Sequence, residues 1–145
     1  MSETLVRYVP PRKIARGDHN EILGPTAEAF KLRKHLNEPY LSINIREIAS
    51  DDPITAIREI ATCHLTKGLK VRRNSIYTQG IKDDIFAVFF NQLTLKPLPK
   101  KSDPSYAGLS GFPEECDEEL EALALTVWNN WVEVSLVDPL VIDDA

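Results

Sequence analysis

Tyr40-Leu41-Ser42-Ile43-Asn44-Ile45-Arg46-Glu47-Ile48, followed at once by Ser50-Asp51-Asp52-Pro53 and the run to Leu65, is the stretch on which the fold turns. Its first part sets Leu and Ile at odd positions against Ser, Asn and Arg between them, the period of two of a strand with one buried face. Its second part opens with acidic cap residues and a proline suited to the first helical turn. It then places Ile54, Ile57, Ile60, Ala61 and Leu65 on one stripe. Thr66-Lys67-Gly68 ends that helix with a glycine fitted to the left-handed position. A strand feeding an amphipathic helix in a chain of 145 residues points to one α+β domain.

Working toward the N-terminus, Val9-Pro10-Pro11 and Leu23-Gly24-Pro25 mark residues 1–25 as an extended arm, with one short strand expected at Leu5–Val9. Thr26 is placed to cap a helix over Ala27–Leu36, with a strand over Ala29–Leu32 as the alternative. Toward the C-terminus, Leu69–Arg73 reads as a short strand and Asn74–Gly80 as a connection. Asp84–Pro97, rich in β-branched and aromatic residues, reads as the central strand or a bent hairpin. Four prolines and two glycines make residues 96–113 a long loop. From Glu114, the spacing of Leu120, Leu123, Ala124, Val127, Trp128 and Trp131 predicts a long helix to about Val134. The expected architecture is a small, mostly antiparallel sheet of three to five strands with two or three packed helices. Residues 26–136 form its single domain, and residues 137–145 an acidic tail.

Composition narrows the function classes. With 43% hydrophobic and 27% charged residues, the chain is neither disordered nor collagenous. No run approaches the about 18–20 apolar residues of a spanning helix, and Met1-Ser2-Glu3-Thr4 lacks the layout of a signal peptide, so a soluble cytoplasmic protein is expected. Cys63 and Cys116 are too few for a disulfide framework or a four-cysteine zinc site and read as reduced thiols. Charge is unevenly spread. From Asp103 onward there are eleven carboxylates and no Lys or Arg, whereas the first 102 residues carry a net +6 within an overall −5. Such segregation suits a basic surface for nucleic acid, an acidic face for a basic partner, or two faces that attract each other.

No catalytic motif stands out. Cys63 and His64 are neighbours on a helix and point about 100° apart, a poor start for a nucleophile and base. Gly108-Leu109-Ser110-Gly111-Phe112 departs from the G-x-S-x-G elbow because its second glycine comes one residue early. No phosphate-binding glycine loop is present. The reading therefore expects no metal and no cofactor, and a role outside catalysis. A metal-independent ribonuclease drawing on His35, Arg72, Arg73 and Tyr77 is the enzymatic alternative. For nucleic acid, Arg7, Arg12, Lys13 and Arg16, then Lys67, Lys70, Arg72 and Arg73, then Lys96, Lys100 and Lys101 are candidates for one basic face, with Tyr8 and Tyr77 as stacking groups. For a protein partner, Tyr106, Phe112, Glu115, Glu118, Trp128 and Trp131 are the candidate surface. The two tryptophans either fill the core or, where exposed, anchor the partner.

Ala29-Phe30 and Tyr40-Leu41-Ser42-Ile43, with the later segment Ser102-Asp103-Pro104-Ser105-Tyr106-Ala107-Gly108-Leu109-Ser110-Gly111-Phe112-Pro113, resemble small bacterial proteins of genomic islands. In those, an A-F and L-S pair precedes a D-P-x-H-A-x-I-x-G-x-P-like segment. Tyr106 stands where that pattern has His. The resemblance implies a bacterial origin and an accessory locus, such as antiviral defence or a toxin and antitoxin cassette. The function expected first is a non-enzymatic interaction subunit whose partner is another protein of the same locus. A small nucleic-acid-binding protein or ribonuclease using the basic half is the alternative.

Overall fold

A computed structural model describes residues 2–32 and 38–137. In chain order the elements are β1 (Thr4–Val9), a 3-10 turn (Pro11–Lys13), β2 (Ile14–Arg16), β3 (Ile22–Pro25), a second 3-10 turn (Ala27–Phe30) and β4 (Leu41–Ile45). Then come α1 (Arg46–Ala49), α2 (Pro53–Thr66), β5 (Ile76–Ile81), α3 (Lys82–Val88), β6 (Thr94–Pro97) and β7 (Tyr106–Ser110). Last are α4 (Asp117–Ala122), a π turn (Leu123–Val127), β8 (Asn130–Glu133) and α5 (Val134–Val137). Six strands form one antiparallel sheet in the order β6-β7-β4-β1-β5-β8, and β2 and β3 pair as a separate hairpin.

The α+β class stands, but the sheet has six strands where three to five were expected, the described residues hold five short helices where two or three were expected, and the long C-terminal helix is absent. Three readings account for the change. The segment 114–134 starts as a helix, then widens into a π turn in which Trp128 N–H donates to the Leu123 carbonyl at 2.7 Å. Asn129 and Asn130 favour helix weakly, and Trp131-Val132 suits a pleated surface, so the chain continues as edge strand β8. The segment 84–97 is not central. Asp83 and Asp84 begin α3, Ile85 and Phe89 enter the core one helical turn apart, and only Thr94–Pro97 is a strand, at the sheet edge. Phe90 and Asn91, both at positive φ, turn the chain between them.

The third reading concerns what lies in the middle. β1 and β4 hold the centre, so the strand expected at Leu5–Val9 forms but is built into the sheet, not into an arm. β5 occupies the supposed connection 74–80. It shows no alternation because Ile76 to Gly80 are buried in succession, as in a strand covered on both faces. β7 forms within the proline-rich loop, where Gly108 lies under Tyr40, a Cβ there falling 2.6 Å from the ring. Leu69–Arg73 forms no strand. The helix expected at Ala27–Leu36 appears as a 3-10 turn, Ala27–Phe30; residues 33–37, with His35, and the tail beyond Val137 lie outside the described residues.

Each sheet face carries a core. Leu5, Val9, Leu41, Ile43, Ile45, Ile76 and Leu109 pack with Phe30, Ile85, Phe89, Leu120, Leu123 and Trp128. On the opposite face Val6 and Tyr77 meet Ile57, Ile60 and Ala61 of α2, with Val71, Val134 and Val137 beside them. Among the described residues, no helix is long and apolar enough to cross a membrane.

Candidate nucleic-acid interface

Three basic segments, distant in sequence, converge on one groove because of how α2 ends. Gly68, at φ +87°, stops the helix; its N–H donates to the Leu65 carbonyl and that of Leu69 to the His64 carbonyl, both at 3.0 Å. This double bond pattern is the Schellman cap, which reverses the chain sharply. Residues 69–74 then run back along the sheet, pinned by buried Val71 and by the Arg72 N–H donating to Tyr8 Oη at 3.0 Å. Opposite them stands the 3-10 turn that Pro11 begins, which presents Arg12 and Lys13. The β6–β7 loop supplies Lys100, and β7 opens with Tyr106.

The resulting groove has a volume of about 1400 Å³. Arg7, Arg12, Lys13, Arg16, Lys67, Lys70, Arg72, Arg73 and Lys100 line it, with Glu133 as the one carboxylate of the lining among the described residues. Tyr8, Ser42, Asn44, His64 and Tyr106 complete its walls and floor. The acids that open α4 lie elsewhere: Glu115, Asp117, Glu118 and Glu119 surround a depression of their own.

Under the groove lies a buried polar network. Asn44 Nδ2 donates to Asp103 Oδ1 at 2.9 Å and to Ser105 Oγ at 2.8 Å, so Asn44 Oδ1 accepts from His64 Nε2 at 3.0 Å. His64 Nδ1 is then the unprotonated nitrogen and accepts from Tyr77 Oη at 2.8 Å. Burial holds the imidazole well below its ordinary value, at about 4; Lys67 and Arg7 push the same way and Asp103 opposes them. The imidazole is therefore neutral, with both nitrogens engaged, and lacks the free nitrogen a general base needs. Burial also raises Tyr77 well above the usual phenol value and, with Asp103, raises Cys63, which works against a thiolate at that site. Asp103 is fully buried, and Lys67 Nζ donates to its Oδ2 at 2.7 Å. Among the described residues, no group of three or more His, Cys, Asp or Glu side chains is placed to hold a metal ion.

The sequence candidates fall out unevenly. Arg12, Lys13, Lys70, Arg72 and Arg73 all line the groove, as do Arg7, Arg16, Lys67 and Lys100; Lys96 and Lys101 do not. Tyr77 is fully buried against His64, so the stacking role suggested for it has no exposed face; Tyr8 and Tyr106 are the aromatic residues of the wall. Of the partner-surface candidates, Tyr106 belongs to this groove. Phe112 packs edge-on against Phe89 at 5.2 Å, and Glu115 and Glu118 are exposed. Trp128 is 0% exposed, stacks on Phe30 at 4.8 Å and donates through Nε1 to the Leu5 carbonyl at 3.1 Å. It is core and cannot anchor a partner. Trp131 is half-buried on β8 against the same core. Asn44 and Asp103 were missed. A polar residue in a strand was read as solvent-facing, and a lone acid in a proline-rich loop carries no mark of burial.

Comparison with models of known protein families, with curated proteins and with solved structures finds no match.

Proposed function

We propose that this chain is a non-enzymatic module that holds a nucleic-acid strand by its phosphates in the basic groove. The observation that carries the reading is the lining itself: nine basic side chains and one carboxylate in a protein of net charge −5. Fields focused in such a cleft attract polyanions even when the whole molecule is acidic. The volume supports a polymer, being larger than the ~300–1,000 Å³ typical of small-molecule pockets. Phosphate-tracking cations beside aromatic walls are the usual equipment for single strands. Protein interfaces, by contrast, are depleted of charge at their centres. The engagement of both His64 nitrogens supports binding without cleavage. The resemblance to small bacterial accessory-locus proteins is the support for a setting of that kind.

The test is anisotropy of labelled single-stranded RNA and DNA, titrated with the full chain between about 50 and 200 mM salt. Affinity is expected to fall steeply with salt, and Arg12→Glu with Arg72→Glu to abolish it. Salt-independent binding, or none at low salt, overturns the reading. Retention of an acidic protein by the wild type, with no affinity for nucleic acid, would assign the groove to a protein partner instead.

A further inference from the structure

Resting on that reading of the groove, we propose that Lys67 and Lys100 form a clamp at Tyr106 that seats one internal phosphodiester of the bound strand. The two ammonium groups lie 4.6 and 4.7 Å from the centre of the same ring. Both ammonium groups are thus held at one aromatic side chain, and each needs a compensating anion. Lys67 has one: Asp103 Oδ2, at 2.7 Å, in a carboxylate whose other oxygen already accepts from Asn44. Lys100 has none among the described residues beyond the aromatic face.

The loop nevertheless holds Lys100 in place. Its N–H donates to the Asp103 carbonyl at 3.1 Å, and the Asp103 N–H donates back at 3.0 Å. Lys100, Asp103 and Tyr106 thus belong to one closed turn, tied by Asp103 to Lys67 at the end of α2. An exposed cation of the groove that shares its ring with a paired one, and has no anion of its own among the described residues, is a site prepared for an anion from outside.

Charge selects which anion. Two ammonium groups and one carboxylate leave a single net positive charge, that of one phosphodiester; a terminal phosphate carries about −1.5 to −2 near neutrality. An internal diester also lets the strand continue in both directions, toward Arg12 and Arg72 on the remaining walls.

The experiment compares wild type, Lys100→Gln and Lys101→Gln by anisotropy across the same salt range. Both lysines are exposed on one loop, but Lys101 does not line the groove. Circular dichroism verifies the fold of each variant. Lys100→Gln is expected to shrink the slope of log affinity against log salt by about 0.7, one phosphate on a single strand, and Lys101→Gln to leave it unchanged. Wild type should bind 5′-phosphorylated and 5′-hydroxyl oligonucleotides of one sequence alike. If wild type binds but the two variants keep equal slopes, the clamp is refuted while the groove reading survives. A preference for the 5′-phosphate that Lys100→Gln abolishes refutes the internal diester. Absence of binding by wild type removes both.

Discussion

His64 should make the stability of this protein depend on pH between its ordinary value and its folded one. The imidazole is buried, bonded on both nitrogens as the neutral tautomer, and held at about 4 against an ordinary 6.5. Its folded value is depressed, so the unfolded chain takes up a proton first as pH falls, and stability is lost between the two values. The full span corresponds to about 3 kcal/mol, at ~1.4 kcal/mol per pH unit, and about 2 kcal/mol of it is spent by pH 5. Tyr77, which faces the ring, is raised well above the usual phenol value by burial and stays neutral over that interval. Glu47, whose carboxylate accepts from the Thr4 N–H, and Asp52, which caps α2 through Thr55, are both lowered. Their contribution is present above the unfolded carboxylate values, 4.5 and 3.8, and is lost as pH falls from there through the folded ones, below the pH 5 end of the assay. The assay is urea denaturation of wild type and His64→Gln at pH 7.5, 6 and 5. His64→Gln should be less stable at pH 7.5, since it disturbs Asn44 and Tyr77, yet should lose about 2 kcal/mol less than wild type on acidification to pH 5. Parallel curves for the two proteins would refute the reasoning, because the buried neutral ring is the source of the difference.

Other expectations follow from single contacts. Trp128→Ala removes the largest fully buried side chain together with its bond to the Leu5 carbonyl, and should cost about 3–5 kcal/mol in chemical denaturation; a loss under about 1 kcal/mol would contradict its place in the core. Gly111 sits at φ +94° with a Cβ position 2.6 Å from the Gln92 carbonyl oxygen, so Gly111→Ala should destabilise by at least the about 1–3 kcal/mol of a strained backbone residue. An unchanged melting temperature would show that this turn is free to shift. Lys70→Gln and Arg72→Gln should each weaken RNA binding to a similar degree whatever the sequence, read by anisotropy against unrelated oligonucleotides. Strong sequence dependence of the loss would mean that these side chains read bases.

Much of the local structure was legible because a short-range pattern coincided with the tertiary answer. Leu41–Ile45 alternates and is a strand, and the stripe from Ile57 to Ala61 is the face that α2 buries. Asp52 caps that helix and Gly68 ends it. The failures share a cause. Trp128 and Trp131 satisfy a helical spacing, but so does any pair of buried residues straddling a turn, and the choice was made when the Trp128 carbonyl accepted from Thr78 Oγ1 and β8 paired with β5. Ile85 and Phe89 fit a strand as well as a helix in sequence, because apolar density is the same signal in a buried helix and a central strand. Of the groove, the cations were visible one by one.

The order of residues by itself determined an α+β chain with its charge divided, basic before residue 103 and acidic after, and supplied the capped helix that the groove depends on. Only the tertiary structure decided that residues 7–16, 67–73 and 100 meet. It also decided that Asn44, His64, Tyr77 and Asp103 are buried together beneath them. The physical reason is one of range. Capping and periodicity act over a few residues of backbone, whereas strand pairing in the order β7-β4-β1-β5 joins segments dozens of residues apart, through contacts that no local window contains.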